Sequence, residues 1–400
     1  MRVFHFSEQP YPDAWLPEYP SLRVDLPNSL CDPKIAADLF HRYQDEWMLA
    51  DELGINVMVN EHHSTATCLS SSCMISLAIL ARITKRARIL ALGVPLANRS
   101  DPLRVAEELS IIDVISRGRL EMGFVKGVPY EVSIANSSPV DMMDRLWESH
   151  DFILKAMTTT DGPFSWQSEN IDYRAVSIWP RPYQQPHPPV WITGASASSA
   201  KAVAERGHVL ATFLSGYATR KIFDTYRDTY QQTWSKPAPA DRLAYLALCA
   251  VADTQEEAMK RAYKVAGYLR TIGAVSEPFR NPPGYLSVPD NVRALANFGK
   301  PRLGIQLSGG RTVYAATATC EELIEGGLLF AGTPDQVKSQ IDKFTGAMGG
   351  FENLLLMFQG GDLGHAETVD SLTMFGREVL PQLQSQSAAS ATGTHALAAG

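Results

Sequence analysis

Cysteine is scarce and poorly arranged for cross-linking. The 400-residue chain has five, Cys31, Cys68, Cys73, Cys249 and Cys320, an odd number with no C-x-x-C pair and no zinc-ligand rhythm. A disulfide framework is excluded, and reduced thiols in a cytoplasmic protein are the expectation. Charge of one sign is also scarce. Lys and Arg number 36 against 43 Asp and Glu, a net charge of -7. Without clustered cations no nucleic-acid partner is expected, and a small-molecule substrate fits better. Long apolar runs are missing as well: the longest, LAYLALCAVA at 243–252, has about half the residues a bilayer crossing needs. The start, MRVFHFSEQPYP, lacks the basic and apolar regions of a secretory leader and reads as a mature beginning. No G-x-G-x-x-G or Walker A stretch competes for a nucleotide, and no repeat of solenoid length occurs.

What is present is alternation. Apolar residues are 45% and charged residues 20% of the chain, the balance of a soluble globular fold. Eight strand-type runs (3–7, 55–60, 87–94, 118–125, 189–194, 208–213, 242–252 and 353–358) are separated by helical patterns such as 33–53, 73–84, 102–115, 196–206 and 218–233, with a last helix at 366–380. Near-continuous apolar strands imply parallel pairing with both faces buried. The expectation is an α/β fold, a (β/α)8 TIM barrel. Residues 271–327 break the rhythm with Gly- and Pro-rich stretches and read as a late, lid-like insertion. Residues 1–382 are expected to form one barrel domain, and 383–400, built of small residues, a disordered tail.

Three stretches carry chemistry. NVMVNEHHSTAT, 56–67, ends an apolar strand on Glu61, His62 and His63, at the barrel end where active sites collect. Alternation puts Glu61 and His63 on one side and His62 on the other. The remaining histidines supply no H-x-H or H-E-x-x-H pattern, so no metal site is expected. The pair reads either as hydrogen-bonded shapers of a loop or as an imidazole facing the barrel mouth as acid, base or donor. WITGASASSAKAVAERG, 191–207, runs from strand through a small-residue turn into a helix whose first amides, with Ser196, Ser198 and Ser199, would attract a phosphate. The same serines also suit a plain N-cap. SRGRLEMGFVKG, 116–127, places Lys126 beside Gly127 on the same rim, a cation for that phosphate or a solvated loop charge.

With FHFSEQPYP, DPLRVAEELSIIDVISRGRLEMGFVKG and FAGTPDQV, these stretches cover most of the chain, and in their order the sequence resembles the bacterial luciferase-like family of flavin-dependent monooxygenases. The resemblance implies a (β/α)8 barrel that binds reduced FMN without a covalent bond, receives it from a separate flavin reductase, and reacts it with O2 through a C4a-(hydro)peroxyflavin. His62 matches the family's first histidine and would act on that species. Ala195, Ser196, Ser199 and Lys126 fall at the phosphate, Lys126 where luciferases carry an arginine. Gly93 and Val94 fall beneath the flavin ring, where some members have a non-prolyl cis peptide. Val125 stands at the position of a reactive cysteine in luciferases, and STATC replaces the residues that come after Glu-His-His there, so light emission from aldehydes is not implied. The loop with Gly309, Gly310, Arg311 and Tyr314 matches the family's mobile lid. A homodimer through the helix DPLRVAEELSIIDVI is implied too. Hydride transfer with F420 on the same fold, and a metal-dependent barrel hydrolase, are the competing expectations.

Overall fold

Strands that are apolar on both sides need cover on both sides, and this chain supplies it by closing a sheet inside a ring of helices. The computed structural model describes residues 1–296, 304–307 and 310–385. Most of the expected tail, from 386 on, and Gly309 lie outside the described residues. The strands are β1 (Arg2–Ser7), β2 (Asn56–Val59), β3 (Ile89–Pro95), β4 (Leu120–Val125), β5 (Phe164–Gln167), β6 (Asp172–Val176), β7 (Val190–Thr193), β8 (Val209–Phe213), β9 (Leu243–Val251), β10 (Gly304–Gln306), β11 (Thr312–Tyr314), β12 (Leu329–Gly332) and β13 (Asn353–Gln359).

Eight of them close a parallel barrel in the order β1-β2-β3-β4-β7-β8-β9-β13, with β13 returning to β1. These are the eight strands expected from the alternation. Two features differ from that reading. β12 is a further parallel strand on the upper half of β9, where Leu329 lies opposite Leu248, beyond the point at which β8 stops. β5 and β6 form a small antiparallel hairpin in a stretch that had no assignment.

The period-2 pattern sorts side chains into two apolar layers. Phe4, Phe6, Met58, Leu92, Leu246 and Met357 fill the barrel, whereas Val57, Val59, Val94 and Phe124 face outward against Trp47, Leu77 and Leu109 of the surrounding helices. Each such fully buried side chain is worth about 1.5–3 kcal/mol. Helix starts follow local chemistry. Asp32, Asp101 and Thr254 cap the helices Pro33–Glu52, Pro102–Ser116 and Gln255–Val265 by accepting from Lys34, Arg104 and Glu257 amides. The first helix ends at Gly54, whose φ of 79° is the left-handed conformation a helix stop requires. The last expected helix, 366–380, is instead His365–Met374 followed by the π turn Phe375–Val379.

The N-terminal end of the barrel is stapled shut. Buried Glu121 accepts from Arg2 (2.9 Å), Trp191 Nε1 (2.5 Å) and Arg88. That leaves the opposite end for ligands. Over it lies the insertion, whose described residues include helices Glu277–Arg280, Val288–Ala296 and Cys320–Glu325 and the β10–β11 hairpin. Among the described residues no helix is long and apolar enough to cross a membrane.

Candidate active site

Because the barrel strands are parallel, their C-terminal ends share one rim, and β2 brings Glu61, His62 and His63 to it. Glu61 and His63 do turn to the same side. The buried Glu61 carboxylate accepts from Arg99 at 2.6 and 2.7 Å and from the Cys73 amide at 3.1 Å, and lies 3.2 Å from His63 Nε2. Burial would push this carboxyl up, but His63, Arg99 and the amide outweigh it and hold it below its ordinary value. The knot fixes the shape of the rim.

His62 faces the other way. Its Nδ1 donates to Glu131 Oε1 at 2.9 Å, the Tyr130 hydroxyl is 3.2 Å from the same nitrogen, and Nε2 lies 3.8 Å from Glu8 Oε1. The imidazole side chain is 20% exposed, against 2% for Glu131 and 5% for Glu8. Burial works against its charge, yet Glu8 and Glu131 prevail over burial and over Arg23, and the imidazole is held above its ordinary value. An imidazole so held keeps its proton to higher pH than a free one.

Arg23 completes this side of the rim. Its guanidinium stacks 5.0 Å from the Tyr130 ring centre and donates to Thr67 Oγ1 (3.0 Å) and to the carbonyls of Thr271 (3.2 Å) and Ile272 (3.3 Å), which ties the insertion to the rim. Glu8 Oε2, both polar atoms of the Gln9 carboxamide and Arg23 Nε are buried with no protein partner among the described residues. Each such orphan costs about 1–3 kcal/mol. Their gathering beside His62 fits a site whose ligand supplies the missing hydrogen bonds.

The expected phosphate residues lie on neighbouring strand ends. β4 and β7 finish side by side, Phe124 opposite Ile192, so Lys126 follows one and Gly194, Ala195 and Ser196 the other. Ser196 caps the helix Ala197–Glu205 in a reciprocal box with Ser199, and Ala195 and Ser196 are exposed. Lys126 itself is held by the insertion: Nζ sits 3.6 Å from the Tyr285 ring centre and donates to the Tyr285 carbonyl at 3.4 Å, while the Tyr285 hydroxyl donates to the Gly127 carbonyl at 2.8 Å. Burial draws the Lys126 ammonium down, with Asp290 opposing. Between the two groups lies β3, where the Leu92–Gly93 peptide is cis. Gly93 is closely packed, since an added Cβ would stand 2.1 Å from a Val125 methyl. Val94 buries its side chain in the helix layer, so this pair offers the rim only its main chain.

The rim therefore joins His62 to partners that the sequence reading did not name: Glu8, Arg23, Tyr130 and Glu131. A signal for one of them was present, because Glu8 directly follows β1, the strand-end position that drew attention to Glu61, whereas Tyr130 and Glu131 come only after Lys126, Gly127, Val128 and Pro129. Among the described residues no group of three or more His, Cys, Asp or Glu side chains is set to hold a metal ion.

Comparison with known proteins agrees with this fold. A profile of the luciferase-like monooxygenase family matches residues 34–349. An uncharacterised protein of Sinorhizobium fredii is 30% identical over 226 residues, 55% of this chain and 65% of that protein, so the chain aligns with less than two thirds of its length. The oxygenase component of flavin-dependent trigonelline monooxygenase from Acinetobacter baylyi is 24% identical over 250 residues, 61% of this chain and 68% of that one. A monooxygenase from Streptomyces bottropensis superposes with a TM-score of 0.71 at 23% identity, covering 96% of this chain and 99% of that one. The FMN complex of the oxygenating constituent of 3,6-diketocamphane monooxygenase from Pseudomonas putida superposes at 0.70 and 18%, covering 95% and 99%. An F420-dependent secondary alcohol dehydrogenase superposes at 0.63 and 15%, covering 94% and 97%. At such identities the superpositions speak for the fold, and the family profile speaks for kinship: the chain belongs to the luciferase-like monooxygenase family.

Proposed function

We propose that this chain is the oxygenase component of a two-component monooxygenase that takes reduced FMN from a separate reductase and uses O2 to oxygenate a small organic substrate. The observation that carries the reading is His62, an imidazole at the barrel mouth with Nδ1 tied to Glu131 and Nε2 turned to Glu8. In this reading residues 1–382 are one barrel domain with 271–327 as its lid.

The rim suits a flavin phosphate because Lys126 is a half-buried cation with no carboxylate at ion-pair distance among the described residues, next to a serine-capped helix start. Lys126, Ser196, Ser199 and the Ala195 main chain would hold that phosphate, and the Gly93–Val94 main chain would lie under the ring. Reduced FMN, when bound, supplies the electrons for O2. His62 holds or moves a proton at Nε2, and Glu131 keeps Nδ1 as a donor so that Nε2 faces the reaction. The insertion, pinned by Arg23, excludes water.

The test mixes the chain with chemically reduced FMN under O2 and follows oxygen uptake and product across a panel of small organic compounds. Substrate-dependent oxygen incorporation is expected, and Lys126→Ala is expected to weaken FMN binding about tenfold. Hydride transfer with F420 and no oxygen uptake would replace this reading by its nearest rival.

We also infer a homodimer. The helix Pro102–Ser116 leaves Ile111, Val114 and Ile115 exposed, and its neighbour Cys73–Ile83 leaves Ile75 exposed. Light scattering should give twice the chain mass, and Ile111→Glu should give the monomer; a monomeric unsubstituted chain removes the inference.

A further inference from the structure

We propose that a hydrated cavity behind Glu131 is the path by which protons reach and leave His62; this deepens the proposed function and rests on its assignment of His62. The cavity encloses about 310 Å³ and is walled by Glu131, His63, Asn98, Arg99, Ser100 and Ala135, among others. At roughly 30 Å³ per water it has room for about ten. His62 is absent from its walls, so Glu131 stands between the imidazole and this water.

Two observations point to water there. Asn98 and Arg99 bring polar side chains to the cavity wall beside Glu131. Both hydrogen bonds of the Glu131 carboxylate, from His62 Nδ1 (2.9 Å) and the His63 amide (3.0 Å), fall on Oε1. Oε2 is left for water.

The transfer balances without any change of oxidation state. A proton taken up at His62 Nε2 makes the imidazolium, the Nδ1 proton passes to Glu131, and Glu131 gives a proton to cavity water; the reverse sequence returns it. The groups facing His62 are Glu8 from the end of β1, Arg23 from the loop before the first helix, Cys68 from the loop after β2, and Tyr130 and Glu131 from beyond β4. Of these only Glu131 also borders the cavity.

The experiment uses the full, flavin-free chain and reads ¹⁵N NMR exchange of the two His62 ring protons with solvent, together with the His62 titration. Ser100→Trp and Ala135→Trp, both at exposed positions on the cavity wall, are expected to slow Nδ1–H exchange on the order of tenfold while leaving Nε2–H exchange and the midpoint unchanged. Glu131→Gln is expected to slow the same proton and lower the midpoint. If both Trp variants fold, by their NMR spectra, yet exchange Nδ1–H as fast as the unsubstituted chain, the path is wrong. Slowed exchange in a chain that takes up no oxygen with reduced FMN would keep the path and end the monooxygenase reading, so the two fail separately.

Discussion

Replacing His62 by alanine is expected to leave the fold and FMN binding in place and to cut substrate oxygenation by about 10²- to 10⁴-fold, the range a positioned proton-transfer group supplies. The variant should fold because the rim's structural knot is Glu61 with Arg99, the Cys73 amide and His63, none of which relies on the His62 ring. FMN should still bind because Lys126 and the serine turn stand on other strand ends. Oxygen should still be consumed, with hydrogen peroxide taking the place of product. Glu131→Gln sharpens the assignment. The His62 pKa is raised, so its ion-pair stabilisation is complete below the ordinary histidine value and is lost as pH climbs through the raised one. Removing the Glu131 charge lowers the raised value, so the limb of the rate profile that reports His62 should move to lower pH. Product formed per oxygen consumed, measured from pH 5 to 9, checks both; an unchanged ratio in His62→Ala would remove His62 from the chemistry.

The parts of this architecture that were legible in the sequence are those encoded locally. Strands such as NLLLMF and LAYLALCAVA are apolar throughout, helix starts carry their own caps at Asp32 and Asp101, and Glu-His-His ends a strand with its own alternation, so the opposed directions of His62 and His63 could be read before any fold was known. What escaped notice is of two kinds. β12 is four residues, LFAG, too short for any period to declare itself, and it exists because the upper half of β9 has a free edge to pair with. The partners of His62 come from the ends of β1 and β4, 54 residues before it and 69 after it, and only barrel closure makes them neighbours. A lone Glu8 or Glu131 resembles any surface carboxylate until the burial that makes it expensive is known. The hairpin of β5 and β6 was the avoidable miss, since FSWQ and DYRAV flank the polar turn SENI.

Acid should destabilise this fold well above the carboxylate range. His5 lies fully buried on the outer face of β1 against Phe358, and burial, only partly offset by the Leu356 main chain, draws it down to about 3. His208 is drawn down to about 2 by burial and by His150, whose Nε2 stands 2.8 Å from its own Nε2. One proton is all that such a nitrogen pair can share, so a second breaks the contact. Both groups stay neutral in the folded chain and become charged in the unfolded one below pH 6.5. For a histidine with a lowered folded pKa the sign is that stability is complete above the unfolded value and falls as pH drops towards the folded one. Each group removes about 1.4 kcal/mol per pH unit once below its unfolded value, so the pair should take roughly 3–4 kcal/mol between pH 6.5 and 5, a large share of an ordinary domain's margin. The raised His62 does not reverse this, because its contribution is already complete below the ordinary histidine value. Urea unfolding at pH 7 and pH 5 measures the loss. His5→Phe, which puts a ring with no charge to suppress beside Phe358, should recover about half of it, and a chain whose stability is the same at both pH values would show that His5 and His208 titrate normally.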